Sequence, residues 1–267
     1  MDKIKSFSAA TGGIWERLRQ EAAAAATVEP ALEGLLGGMI MERDSLGEAL
    51  GHLLGRKLGD EAVSAAAIRE LCVEALRSDP AMIDHYMRDM AASHERDPAC
   101  RSWLQPFLFF KGVAALQAHR IAHWLWHQER QLMAFHIQSR CSEIFQVDIH
   151  PAALIGSGIF LDHATGTVIG ETSVVGDDVS MLQSVTLGGN GKERGDRHPK
   201  IGRGVLISSG AKVLGNIRVG DEARIAAGSV VLHDVPPCVT VAGVPAKIVR
   251  VPSPEHPAEC MDHSFDL

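Results

Sequence analysis

The 267-residue sequence has no apolar run approaching the roughly 18 to 20 residues that a membrane span requires. Its start, Met1-Asp2-Lys3-Ile4-Lys5, lacks the apolar stretch of a secretory leader. The expected location is therefore the cytoplasm, with no membrane partner. Cysteine is sparse: Cys72, Cys100, Cys141, Cys238 and Cys260 are scattered with no CxxC pair, which argues against a disulfide framework and for reduced thiols. Basic residues are outnumbered, 26 Lys and Arg against 33 Asp and Glu, for a net charge of −7. A chain so balanced lacks the concentrated positive surface that neutralises phosphates, so no nucleic-acid partner is expected.

What is present divides near Gln146. Residues 1–146 hold all four Trp, most of the Ala and only four Val; from Val147 onward there are 17 Val and 16 Gly but only two aromatics, Phe160 and Phe265. Two such vocabularies imply two cores built differently. In the first half apolar residues recur at helical spacing, as in Ile68, Leu71, Cys72, Ala75 and Leu76, with Asp60 placed to start that helix. Similar patterns cover about 15–27, 45–57, 81–92, 109–128 and 131–145. Asp79-Pro80 and Asp97-Pro98 read as an N-cap followed by proline in the first helical position. The spacing predicts a helical bundle over 1–146.

The second half repeats every six residues. Aliphatic side chains recur at Ile149, Ile155 and Leu161, then at Ile169, Val175, Met181 and Leu187, then at Ile201, Ile207, Val213, Val219, Ile225 and Val231. A period of six fits neither a helix nor simple strand alternation; it is the mark of a parallel β-helix, in which each aliphatic points into a narrow prism and stacks on the next coil at ~4.8 Å. The chain thus reads as an all-α N-terminal domain (1–146), a β-helix (147–251) and a tail (252–267) with three Pro, four acids and no periodicity, expected to be flexible. The frame slips by two residues between Leu161 and Ile169. It breaks for longer at Gly188–Lys200 (GGNGKERGDRHPK), which should leave the prism as a loop able to carry a site.

Polar residues that interrupt the repeat are the candidates for chemistry. His163 follows Asp148 by 15 residues, three short of a coil of about 18, so the pair can lie on neighbouring coils. A carboxylate holding one ring nitrogen would leave the other free as a base able to activate a hydroxyl. From spacing alone, His163 as a turn residue and Asp148 as a cap at the helix-to-sheet junction stands equally open. His119, His123 and His127 share a helical face, but with Trp124 and Trp126 between them and no HExxH acid they read as packing or surface histidines, and no metal is assigned. GGNGK lacks the spacing and following Ser/Thr of a phosphate loop. Arg197 and His198 suit a carboxylate ligand or an ordinary solvated loop.

Three segments decide between these readings. VDIHPAALIGSGIFLDHATG (147–166), SVTLGGNGKERGDRHPKIG (184–202) and AGVPAKIVR (242–250), together with the helical half, closely resemble bacterial serine acetyltransferase. The resemblance implies a left-handed β-helix and transfer of the acetyl group of acetyl-CoA to the hydroxyl of L-serine, the first step toward cysteine. It matches His163 to the catalytic base and Asp148 to its orienting acid. Asp97, Asp162, Arg197 and His198 match the serine contacts, acids for the ammonium and a guanidinium for the carboxylate. Gly189, Ser209, Ala227 and Lys247 match positions along the acetyl-CoA groove, although Ser208-Ser209 stands where Gly and Ala are usual. It further implies a homotrimer or a hexamer built as a dimer of trimers, sites between subunits, inhibition by L-cysteine, and a complex with O-acetylserine sulfhydrylase through the C-terminal tail, here ending in Leu267 rather than isoleucine. Three other readings stay in view: a sugar or antibiotic acceptor on the same scaffold, a γ-type carbonic anhydrase with His150, His163 and His198 on zinc, and a non-catalytic trimerisation module.

Overall fold

The computed structural model describes residues 13–191, 194–250 and 256–261. The helical half contains α1 (Ile14–Val28), α2 (Leu46–Leu58), α3 (Ala65–Ser78), α4 (Ala81–Arg96), α5 (Lys111–His127) and α6 (Gln131–Phe145), with single helical turns at Pro30–Leu32, Glu33–Leu36 and Gly37–Met41 between α1 and α2. Each helix buries one apolar stripe, such as Ile68, Leu71, Cys72 and Ala75 on α3, and α5 is covered almost all round. Three start signals fall differently from the sequence reading. Ser64, not Asp60, caps α3 by accepting from the Ala67 N–H. The Asp60 carboxylate is already occupied by the N–H groups of Ala62 and Val63 in the turn before it. Asp79 accepts from the Ala81 N–H, but α4 begins at Ala81, one residue after Pro80. Asp97 closes α4 instead of opening a helix: its Oδ1 accepts from the Ala99 N–H at 2.8 Å, and the chain then runs irregularly to a wide helical turn at Gln105–Phe109.

Beyond the left-handed residue Gln146 (φ 57°) the chain enters a three-sided parallel prism, a left-handed β-helix. The first face stacks Val147–Ile149, Thr167–Ile169, Thr186–Gly188, Lys212–Leu214 and Val230–Val231. The second stacks Leu154–Ile155, Val174–Val175, Lys200–Ile201 and Arg218–Val219. The third stacks Phe160–Leu161, Ser180–Met181, Leu206–Ile207, Arg224–Ile225 and Thr240–Gly243, and is closed by the antiparallel strand Ala246–Arg250. The six-residue aliphatics fill the prism: Ile169, Met181, Leu187, Ile207, Val213 and Ile225 are all buried. Registers account for the two frame breaks. Val147 pairs Thr167, 20 residues on; Val168 pairs Thr186, 18 on; Val174 pairs Lys200, 26 on, because 189–199 leaves the prism.

A buried polar network fixes the helical half to the first coil. The Asp89 carboxylate, fully buried on α4, accepts from Arg120 Nη2 at 2.7 Å, Gln117 Nε2 at 2.9 Å and the Ile159 N–H at 2.9 Å. Arg120 on α5 in turn donates to the carbonyls of Ile155 and Gly156. Both carboxylate oxygens thus have donors and the charge has a counter-ion, which is the condition for burying it. The start of α5 then lies against the prism at Gly112, where a Cβ would sit 2.0 Å from the Leu161 carbonyl oxygen. Only glycine permits that approach.

Of the segment expected as a flexible tail, the described residues 256–261 are folded. Pro257 and Ala258 are buried in a short helix, α7 (Pro257–Cys260), and the Ala258 carbonyl accepts from Ser180 Oγ at 2.8 Å. The Ser180 hydroxyl also accepts from Arg96 on α4, so prism, bundle and tail meet there. Leu267 lies outside the described residues.

Candidate active site

The first face of the prism has two edges, and the sequence-derived site residues divide between them. At the edge shared with the third face the chain turns through Asp162-His163-Ala164-Thr165-Gly166. His163 and Ala164 are left-handed at φ 52° and 59°, as are Asp178, Ser184, Glu222 and Cys238 at other turns of the prism, so the conformation belongs to the corner of a coil. The turn is held by the N–H of Gly166 donating to the Gln146 carbonyl and by Lys111 Nζ on the Thr165 hydroxyl. The His163 side chain is 73% exposed, with Nε2 3.7 Å from Asp162 Oδ2. Asp97, Asp162 and His163 share a cavity of about 390 Å³ with Gln105, Phe109 and Lys111. Two carboxylates facing an open imidazole, with a phenylalanine wall, suit a small cationic ligand beside a base.

At the other edge, shared with the second face, the base of the extruded loop brings Arg197 and His198 against Glu171 and Thr172. Arg197 Nη2 donates to Glu171 Oε2 at 2.6 Å. That bond, reinforced by the guanidinium charge, holds the Glu171 carboxyl below its ordinary range against the cost of desolvation. Burial, with the Arg197 charge behind it, holds the His198 ring below the usual histidine value. His150 stands in the same field, its pKa lowered by burial although Glu171 and Asp148 pull it upward. Gly189 belongs here too, a Cβ at that position lying 3.5 Å from the Arg197 side chain.

Asp148 lies between these edges, at the middle of the first face. Within one chain its Oδ1 accepts from Gln138 Nε2 on α6 at 2.6 Å, and among the described residues it makes no ion pair with His163. The first coil has 20 residues rather than the 18 of a regular one. Asp148 therefore pairs Val168, five residues beyond His163. Ser209 and Ala227 occupy the His163 edge on later coils, joined where the Gly228 N–H donates to the Ser209 carbonyl. Lys247 is exposed on the closing strand, paired with Ala242. The sequence reading missed Lys111, Phe109, Glu171 and Thr172. The first two are brought in by helix packing, which leaves no motif; Glu171 and Thr172 could have been found from the 20-residue register that sets Gly170 beside His150.

With this geometry in place, comparison with known proteins is informative. Residues 14–118 match the family described as serine acetyltransferase, N-terminal, and 198–233 match bacterial transferase hexapeptide repeats. A serine acetyltransferase of Salmonella typhimurium is 52% identical over 253 residues, covering 95% of this chain and 93% of that protein. A solved serine acetyltransferase in complex with cysteine superposes with a TM-score of 0.94 at 49% identity, over 96% of this chain and 99% of the other. The Brucella abortus serine acetyltransferase in complex with coenzyme A gives 0.89 at 51%, over 90% and 96%. Identity at this level across both halves makes the chain a member of the serine acetyltransferase family, an acyltransferase that acetylates serine.

Proposed function

We propose that the chain transfers the acetyl group of acetyl-CoA to the hydroxyl of L-serine at a site assembled from two subunits. The observation that carries this reading is the division of complementary groups between the two edges of one face. Asp162 and His163 lie on one edge, with Asp97 lining the same cavity from the end of α4, and Arg197 and His198 lie on the other. An amino-acid substrate needs both, anions for its ammonium and a guanidinium for its carboxylate. A three-fold arrangement of prisms sets the first edge of one copy against the second edge of the next, so a trimer, or a hexamer of paired trimers, completes each site.

In that site His163 takes the serine hydroxyl proton while the oxygen attacks the thioester carbonyl. The carbon–sulfur bond then breaks, and the same proton passes to the departing thiolate. General-base help of this kind is worth ~10²–10⁴-fold. In this reading Asp148 orients the imidazole from the neighbouring copy, since within one chain it faces Gln138. The column Ser209–Ala227 below His163 offers the small residues and backbone of a CoA groove, with Gly189 reaching it from the neighbouring edge and Lys247 at its far end toward the phosphates. The scheme takes its base from His163 and needs no Lewis acid, and we assign no metal. L-cysteine, which keeps the ammonium and carboxylate of serine, competes for the same groups and inhibits. The complex with O-acetylserine sulfhydrylase is assigned to the tail ending at Leu267, with the enzyme in the cytoplasm.

The test is thiol release from acetyl-CoA with L-serine, L-homoserine, a galactoside or no acceptor, using the unmodified protein, His163→Asn, Arg197→Ala, and the two variants refolded together. Serine alone should drive release, each variant should fall by at least 10²-fold, and the mixture should regain part of the activity through hybrid sites. A mixture as inactive as its components would refute the shared site; release driven by another acceptor would refute the substrate.

A further inference from the structure

Thr172 touches His198 from two directions. Its backbone N–H donates to His198 Nδ1 at 3.2 Å, and its hydroxyl oxygen lies 2.9 Å from the same nitrogen. That oxygen also accepts from the backbone N–H groups of Arg197 at 3.0 Å and His198 at 3.1 Å. With both lone pairs engaged, the hydroxyl has one hydrogen to give, and Nδ1 at 2.9 Å competes for it with the Asp196 carboxylate. An imidazole nitrogen that accepts in this way carries no proton, so a neutral ring holds its hydrogen on Nε2. The neutral form is the favoured one here, because burial and the adjacent Arg197 disfavour the cation.

The backbone is built around this ring. Gly170 lies beneath it, where a Cβ would come within 2.0 Å of Nε2, and among the described residues Nε2 bonds to no protein group. Lys200 Nζ ties the assembly from behind, donating at 2.8 Å to the carbonyls of Thr172 and of His198 and at 2.5 Å to Asp196. We propose that Thr172 is a positioning residue that fixes His198 as the Nε2–H tautomer, offering that N–H beside the Arg197 guanidinium as a second donor to the substrate carboxylate. The proposal rests on the acceptor site described above. It gives the histidine a recognition role that does not require its charge.

Neutron diffraction from crystals of the perdeuterated full-length enzyme reads the tautomer directly. Deuterium is expected on His198 Nε2 and absent from Nδ1, with the Thr172 deuteroxyl aimed at Nδ1. Deuterium on Nδ1, or a deuteroxyl turned to the competing Asp196 carboxylate, overturns the proposal. In solution Thr172→Val should raise the KM for serine about tenfold, the worth of one hydrogen bond, with kcat changed far less; Thr172→Ser should restore it. An unchanged KM in a folded Val variant, or a loss confined to kcat, also overturns it. Should the Val variant fail to assemble, the neutron map decides the matter. Absence of serine-driven thiol release from the unmodified enzyme would remove the acceptor reading, whereas the map tests the tautomer independently.

Discussion

Replacing Asp89 by leucine removes the hub through which the helical half grips the prism. Leucine is close in volume, so the cost arises from the donors left behind. The Arg120 guanidinium keeps its bonds to the carbonyls of Ile155 and Gly156 but loses its counter-ion, and the Ile159 N–H loses its acceptor. Stranding one member of a buried ion pair costs about 3–5 kcal/mol. Restoring charge balance with the double change Asp89→Leu/Arg120→Met should recover most of that, leaving a coupling of at least about 2 kcal/mol in the cycle. The assay is urea unfolding of all four proteins at one fixed protomer concentration, since assembly contributes to apparent stability. The damage should also be functional. The network holds α5 through Gln117 and Arg120, and α5 begins with Lys111 and Gly112 on the wall of the His163 cavity. The KM for serine should therefore rise in Asp89→Leu even well below the unfolding transition. A loss under about 1 kcal/mol, or strictly additive single changes, would refute the view that this pair joins the two halves.

Gly112→Ala should lower the melting temperature and the serine activity together, because a Cβ 2.0 Å from the Leu161 carbonyl must push α5 away from the Asp162–His163 turn; an unchanged melting curve would show that the helix has slack there. Acid should destabilise the fold before carboxylates titrate. Burial holds His119 far below the ordinary histidine value and lowers His123 and His85 as well, so the unfolded chain binds more protons than the native one below about pH 6.5. Stability should then be full above that value and fall as the pH drops toward 5, and His119→Leu should flatten the slope measured by chemical denaturation; an unaltered slope would mean His119 is not a source of it.

The sequence determined the architecture because its information is local and periodic. A six-residue aliphatic repeat admits few structures other than a three-sided prism, and the two frame breaks became the 20- and 26-residue coils. Arg197 and His198 were legible for the same reason, as charged residues in a segment with no place inside the prism. Helix starts were less legible, because Asp60 and Asp97 serve the turns they stand in, a choice between nearby N–H groups that pattern does not encode. Only the tertiary structure decided that Asp148 faces Gln138 within its own chain, that α5 lends Lys111 to the His163 cavity, and that Thr172 holds His198. Each depends on coil register or on helix docking through Asp89 and Arg120, which joins residues 70 apart, Asp89 to Ile159, by a hydrogen bond that leaves no mark in spacing. The same register sets the His163 cavity and the Arg197–His198 cluster on opposite edges of one face.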